Sequence, residues 1–473
     1  MKDIVLFVVL LLVVSDLKAQ HQELQDKPDL WRGKQHYTDD SNTMLYAFKK
    51  GSIHGHARYF FMATDNAPGL TDYYANAAGG GIKYETAKYK GFQFGVSGFF
   101  VFNIGSSNLA LIDENSRQPN RYEVGLFDIS DPANKYDIDR LEEFYIKYSY
   151  RNSHIVFGKQ LINTPFINLQ DGRMRPTEVG GLWAEYNELK NLKIEGGYLY
   201  EISPRSTVKW YDVAQSIGVF QAGVNPDGSK SGYAGNLQSG GIGILGIDYV
   251  YANRLKLKVH NLYVDNIMNT ALLQAEYRVP IASNTNISTA VQYIRQDAVN
   301  DGGNPDISKA YFTPGATSHS FGARLLLEKK DWQLSFNYNR ITADARYLMP
   351  REWGRDPFFT FLPRERNEGF GDVHAYMAKA LYKIRNTGLK TQLAAGYYYL
   401  PDVTNYRLNK YGMPSYYQIN AELKYAFKGL LAGWETQLLY LYKVNASNEQ
   451  LKDKYIINKV DMGLWNLVVN FHF

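Results

Sequence analysis

Apolar and polar side chains take turns along most of this chain, and no other feature limits its possible folds so tightly. Within Val460–Phe473, Trp465, Leu467, Val469, Phe471 and Phe473 fall on one face, while Asn466, Asn470 and His472 fall on the other. Trp332, Leu334, Phe336 and Tyr338 alternate in the same way with Gln333, Ser335, Asn337 and Asn339. So do Tyr417, Ile419, Ala421, Leu423, Tyr425 and Phe427 with Gln418, Asn420, Glu422 and Lys424. A period of two belongs to strands that separate two environments. Repeated along the chain, and ending on an aromatic on the apolar side, it predicts an all-β, antiparallel transmembrane barrel with lipid outside and water within.

Helices offer no other route across a bilayer. Mean hydropathy is −0.37, and the one sustained apolar run, Ile4 to Val14, falls short of the roughly 18 residues that a spanning helix needs. That run follows Lys2 and precedes Ala19, the arrangement of a secretory signal over residues 1–19, cut before Gln20. Residues 20–50 read as a polar lead-in and 51–473 as the barrel. Cysteine is absent, so strand pairing rather than disulfides must hold the fold. The net charge of +5 is spread without a basic run, which gives no footing for nucleic acid. Outer-membrane lipid and small hydrophilic solutes are the expected partners, with the barrel a monomer or a trimer in the outer membrane of a bacterial cell.

Eighteen two-sided stretches can be marked between residues 51 and 473, and the gaps between them alternate short and long. Arg151–Ser153, Ala252–Arg254, Lys330–Asp331, Arg385–Gly388 and Lys428–Leu430 are short; 105–139, 162–177, 202–238, 297–316, 343–368 and 445–458 are long. An even strand count with short periplasmic turns and long extracellular loops is the expected layout of an outer-membrane barrel. The gap near 265–268 breaks the rule. Tyr398, Trp434, Tyr440, Tyr442, Trp465, Phe471 and Phe473 are placed outward, as interface anchors.

Several motifs suggest chemistry and fail on context. Gly241-Ile-Gly243-Ile-Leu-Gly246 has the letters of a dinucleotide fingerprint, yet that motif must open a helix, and here the glycines lie within a strand pattern. His54 and His56 share a face with Arg58 but lack a third metal ligand. Asp297, Asn300, Asp301, Asn304 and Asp306 do not follow the calcium-loop spacing, and turn chemistry explains them better. His154, His260, His319 and His374 sit on separate segments without a nucleophile motif. No enzyme activity, cofactor or metal is expected.

The polar faces carry more information. Glu143, Tyr145, Lys147, Ser149 and Arg151 share one side of the fourth stretch; Lys256, Lys258 and His260 share the ninth; Gln274, Glu276 and Arg278 share the tenth; Arg324 lies on the twelfth. Charges inside a barrel require water. They serve either as selectivity groups along a pore or as partners of Glu143, Glu276 and Glu422 in wall-bracing pairs.

The segment from Gly158 to Gly181 leaves one stretch, passes Pro165, Asp171, Arg173, Arg175 and Pro176, and returns into the next. With Asp171, Arg173, Pro176 and Gly180 in place, it resembles the OprD-type substrate-specific outer-membrane porin family. The resemblance implies an eighteen-stranded barrel whose third loop, about 162–177, folds into the lumen. It also implies arginines at a constriction and uptake of small solutes bearing a carboxylate. Arg173 would be the constriction residue carried over, paired with Asp171. Met174-Arg175 departs from the family pattern by adding a charge. Passive diffusion of small hydrophilic solutes is therefore the expected function. The alternative is a structural or adhesive barrel with a closed lumen and partner-binding loops.

Overall fold

The computed structural model describes residues 30–31, 40–170, 172–447 and 450–473. The proposed signal peptide, most of the lead-in and Asp171 lie outside these described residues. A short helix, Met44–Lys49, capped by the Thr43 hydroxyl, leads into the first strand. The strands are β1 (Ser52–Asp65), β2 (Tyr73–Glu85), β3 (Phe92–Ser106), β4 (Ile138–Tyr150), β5 (Ser153–Gln160), β6 (Glu178–Tyr186) and β7 (Leu192–Ser203). A two-residue strand, β8 (Tyr211–Asp212), lies against the end of β7. Then come β9 (Ile242–Tyr251), β10 (Leu255–Val264), β11 (Met268–Ala282), β12 (Thr285–Ala298), β13 (Thr317–Lys329) and β14 (Trp332–Ile341). The last are β15 (Val373–Lys383), β16 (Leu389–Tyr399), β17 (Tyr416–Ala426), β18 (Trp434–Asn445) and β19 (Met462–His472).

Setting β8 aside, each strand pairs antiparallel with the next in sequence, and β1 pairs with β19 from His56↔His472 to Asp65↔Gly463. The result is a closed barrel of eighteen wall strands, as the alternation predicts. Closure leaves no unpaired sheet edge to be satisfied in lipid. At one end the connections are short, 151–152, 283–284 and 330–331 among them. At the other they include 107–137 (loop 2), 161–177 (loop 3), 204–241 (loop 4), 299–316 (loop 6), 342–372 (loop 7), 400–415 (loop 8) and 446–461 (loop 9). The tight connection at 265–267 belongs to the long-loop end, with Asn266 at φ 61°. Gly243 and Gly246 lie within β9, which turns directly into β10, and Gly241 immediately precedes it, so the motif belongs to the barrel wall and its edge.

Outward positions are apolar and aromatic. Tyr338, Tyr376, Tyr397 and Tyr417 are cross-strand partners on β14 to β17 towards the long loops. Trp332 stacks on Tyr382 at 4.2 Å and Trp434 on Phe471 at 4.8 Å near the short turns. Two such belts at headgroup depth hold a barrel in register with a bilayer. Tyr398 corrects the outward assignment made for it. It is buried inside, donates a hydrogen bond to the Thr360 carbonyl at 2.6 Å and stacks on Tyr416 at 4.7 Å. Its neighbours Tyr397 and Tyr399 take the outward places. The strand alternates as expected, but an incoming loop covers this inward position and lets it be aromatic.

The interior divides along its height. In the long-loop half, loops fold inward and build two apolar clusters against the wall. One joins Phe166, Ile167, Tyr347, Trp353, Phe358 and Leu362 to Val179, Leu199 and Ile294. The other joins Leu126, Phe127 and Met174 to Phe60, Ala75, Ala77 and Phe99. Towards the short turns the interior is polar and open.

Candidate functional site: a charged lumen narrowed by loops 3 and 7

A cavity of about 1340 Å³ occupies the open part of the barrel. Among the described residues, thirteen lysines and arginines line it, against seven carboxylates. The chain as a whole is close to balanced, with 52 basic and 47 acidic residues, so the cation excess is concentrated along the aqueous path. A low-dielectric wall strengthens the field of such fixed charges.

Loop 3 reaches the lumen because β1 grips it. Arg58 on β1 donates from Nη1 to the carbonyls of Arg173 at 2.5 Å and Met174 at 3.1 Å, and from Nε to Asn470 Oδ1 at 2.7 Å. β2 makes the space. A Cβ on its Gly79 would lie 2.6 Å from the Phe99 ring and 3.0 Å from the Met174 methyl. Loop 7 locks against loop 3: Asn168 donates to the Trp353 carbonyl at 3.1 Å and from Nδ2 to the Arg355 carbonyl at 2.9 Å, while the Arg355 amide donates back to Asn168 Oδ1 at 3.1 Å. Trp353 Nε1 donates to Ser216 Oγ in loop 4 at 3.0 Å, and the amides of Gly218 and Phe220 donate to Glu352 Oε1 at 2.9 and 3.0 Å. Three loops thus brace one another through a connected set of hydrogen bonds.

Arg58, Arg173, Arg355 and Arg364 line the cavity together with Phe359 and Phe361. Arg364 donates to Asn466 Oδ1 at 2.9 Å, and the Arg355 guanidinium lies 4.3 Å from the Phe361 ring centre. Nearer the short turns, Lys383, Lys390 and Lys424 are direct cross-strand partners on β15, β16 and β17.

The residues singled out from sequence divide three ways. Arg173, Lys256, Lys258, His260, Arg278 and Arg324 line the cavity. Most of these also brace the wall: Arg324 pairs with Glu276 at 2.6 Å, Arg278 with Glu328 at 3.2 Å, and Lys258 and His260 with Asp248 at 3.5 and 2.9 Å. Lys256 has no carboxylate within ion-pair reach among the described residues. Lys147 pairs with Glu85 at 3.4 Å, and Arg151 turns over the Tyr150 ring in the β4–β5 connection.

Arg175, also in loop 3, stands apart: it is buried and does not line the cavity. Its Nε donates to Glu142 Oε1 at 2.6 Å, and its guanidinium lies between the rings of Phe99 at 4.6 Å and Trp31 at 4.8 Å. Its Nη1 lies 3.1 Å from His56 Nδ1. A guanidinium can only donate, so His56 Nδ1 accepts and its Nε2 carries the proton, directed at Asn470 Oδ1 at 3.2 Å. His56 also stacks on His472 at 4.5 Å. The two ring nitrogens therefore serve a structural network.

Glu142 and Arg140 were missed because β4 is bulged. Ser97 on β3 faces both Glu142 and Glu143, so two consecutive residues point inward and the alternation changes phase. Loop 7 was missed as a constriction because no periodicity marks it. Its signal is compositional: Phe358, Phe359, Phe361 and Leu362 lie between Arg355 and Arg364, and aromatic residues in a long loop must find a covered site.

The model for the outer membrane porin OprD family matches residues 48–349. The chain belongs to the OprD family. Solved OprD-type barrels share its architecture. Pseudomonas aeruginosa OccD3 (OpdP) superposes with a TM-score of 0.67 at 14% identity, over 89% of this chain and 91% of that one. Acinetobacter baumannii OccAB3 gives 0.68 at 16%, over 90% and 99%. Pseudomonas aeruginosa OpdK, solved with vanillate, gives 0.68 at 14%, over 90% and 99%. No curated protein matches the chain by sequence. As an OprD-family porin it is a transport channel of the bacterial outer membrane, and its long loops belong on the extracellular side.

Proposed function

We propose that this porin passes small solutes bearing a carboxylate, admitted down their gradient between loops 3 and 7. The cation excess of the lumen carries this reading. Arg58, Arg173, Arg355 and Arg364, contributed by β1 and by loops 3 and 7, all line the cavity. A guanidinium offers a carboxylate two parallel hydrogen bonds, and a row of such groups lets the anion exchange partners without a deep trap. Phe359 and Phe361 beside the arginines give an attached ring or alkyl group an apolar surface. The related OpdK was solved with vanillate, an aromatic carboxylate.

The reversal potential across a planar bilayer under a salt gradient tests the proposal. The native porin is expected to prefer anions, and R173Q with R364Q to reduce that preference while conductance persists. A cation preference in the native porin, or selectivity unchanged in the double variant, would refute it.

A further inference from the structure

On the outside of the barrel, towards the long loops, two neighbouring hairpins carry the same group of side chains. Tyr293 and Arg295 face outward on β12, and Tyr338 and Arg340 on β14, while the intervening Ile294 and Asn339 are buried inside. Arg295 lies directly across from His319 on β13, and Arg340 from His374 on β15. In each unit the tyrosine hydroxyl meets the histidine Nδ1, at 2.8 Å for Tyr293 with His319 and 2.9 Å for Tyr338 with His374. A phenol is the better donor, so Nδ1 accepts and Nε2 carries the ring hydrogen. Each arginine is aligned by an aspartate: Arg295 Nε and Nη2 donate to Asp297 at 2.9 and 3.0 Å, and Arg340 Nη2 donates to Asp372 at 2.7 Å. Arg340 Nη1 is taken by the Ile341 and Val373 carbonyls. Arg295 Nη1, Arg340 Nε and both histidine Nε2 atoms have no hydrogen-bond acceptor among the described residues.

The units sit where a headgroup would. Arg340 and His374 lie two residues closer to the loops than Tyr338 and Tyr376 of the outward tyrosine row, and below that row the wall is apolar, with Val291 and Phe336 exposed. A cation facing lipid is costly at mid-bilayer and nearly free at the interface. Interfacial anchoring alone does not require these groups, because the opposite wall does without them: the outward Tyr442, Val444, Trp465, Ala63 and Tyr74 reach the same end of β18, β19, β1 and β2 without a cation.

We propose that the outer wall across β12–β15 binds a phosphate-bearing lipid headgroup of the outer leaflet, with Arg295 and Arg340 as the principal donors, the two histidine Nε2 atoms beside them, and acyl chains laid over Val291 and Phe336. The aspartates keep each unit close to neutral, so recognition rests on directed N–H groups, whose hydrogen bonds to phosphate oxygens are the strong, charge-assisted kind. Two strand spacings separate β12 from β14, roughly 10 Å, a span suited to two phosphates of one headgroup.

Native mass spectrometry of the full mature porin in mild detergent tests the site. The probes are lipid A with both phosphates, the same glycolipid stripped of phosphate, and inorganic phosphate. Native porin is expected to retain the phosphorylated lipid in preference to the stripped one. R295Q with R340Q should weaken retention roughly twenty-five-fold, about fivefold for each surface cation removed. K329Q, which removes an outward cation at the short-turn end of β13, should leave retention unchanged. Heat-shifted migration on a denaturing gel selects the folded barrels for comparison, so a loss of binding is not a loss of fold. Equal retention of the stripped lipid, or retention unchanged in the double variant, overturns the proposal. Complete displacement of the lipid by inorganic phosphate would assign the donors to the free ion and also overturn lipid docking. None of these outcomes bears on which solutes pass through the lumen.

Discussion

Arg175 shows how one side chain can hold a loop inside a channel. Its charge is buried, and if the guanidinium were lost its partner Glu142 would keep, among the described residues, Arg140 at 3.2 Å, itself shared with Glu178. Breaking a buried pair costs about 3–5 kcal/mol. Arg175→Gln is therefore expected to lower the urea midpoint of the barrel and to expose loop 3 to protease, whereas Lys256→Gln on the open lumen wall should leave both unchanged. Asp356 in loop 7 gives a pH test. Burial pushes its carboxyl up to about 6, with Arg366 opposing, and its Oδ1 has no hydrogen-bond partner among the described residues. A folded pKa above the unfolded value means that the proton is held more tightly in the docked loop. The stabilisation is complete below about pH 4 and is lost as pH rises through about 6. Loop 7 should become more open to protease between pH 5 and 7, and Asp356→Asn should remove that dependence.

At the scale of elements, the wall strands were legible and the loops were not, for a physical reason. A strand between lipid and water must alternate, and that requirement is written into β14, β17 and β19 residue by residue. Leu393 on β16 faces outward and is 62% exposed, while Gln392 faces the lumen. Leu393→Arg should destabilise the folded barrel by about 2–4 kcal/mol, the cost of a cation at mid-bilayer; Gln392→Arg should cost far less. Urea titration in lipid vesicles compares them. The bulge facing Ser97 was invisible because it depends on the partner strand. Loop 7 was invisible because its fold is set by contacts with Asn168 and Ser216, far away in the chain. Of the loop arginines that line the cavity, the sequence therefore singled out Arg173 through its motif, while Arg355 and Arg364 carried no signal.

At the scale of the whole molecule, a barrel with one interior has had to supply both a core and a passage. Inward-folded loops give the long-loop half its apolar clusters, and the remaining volume stays wet and cationic. If the fixed charges select by their field, anion preference must weaken as salt screens it, since the Debye length falls from about 10 Å at 0.1 M to about 3 Å at 1 M. Reversal potentials at the two ionic strengths should show that decline; a preference independent of salt would point to size alone.

The pairing of β1 with β19 has a consequence for biogenesis. His56 finds its neighbour His472 only after nearly the entire polypeptide has been made and moved across the inner membrane. Until then the opening strand has one flank without hydrogen bonds, and insertion into lipid would strand those groups. Without β19 both β1 and β18 would keep an unpaired edge, so the cylinder can seal against lipid only once its last strand has paired on both sides.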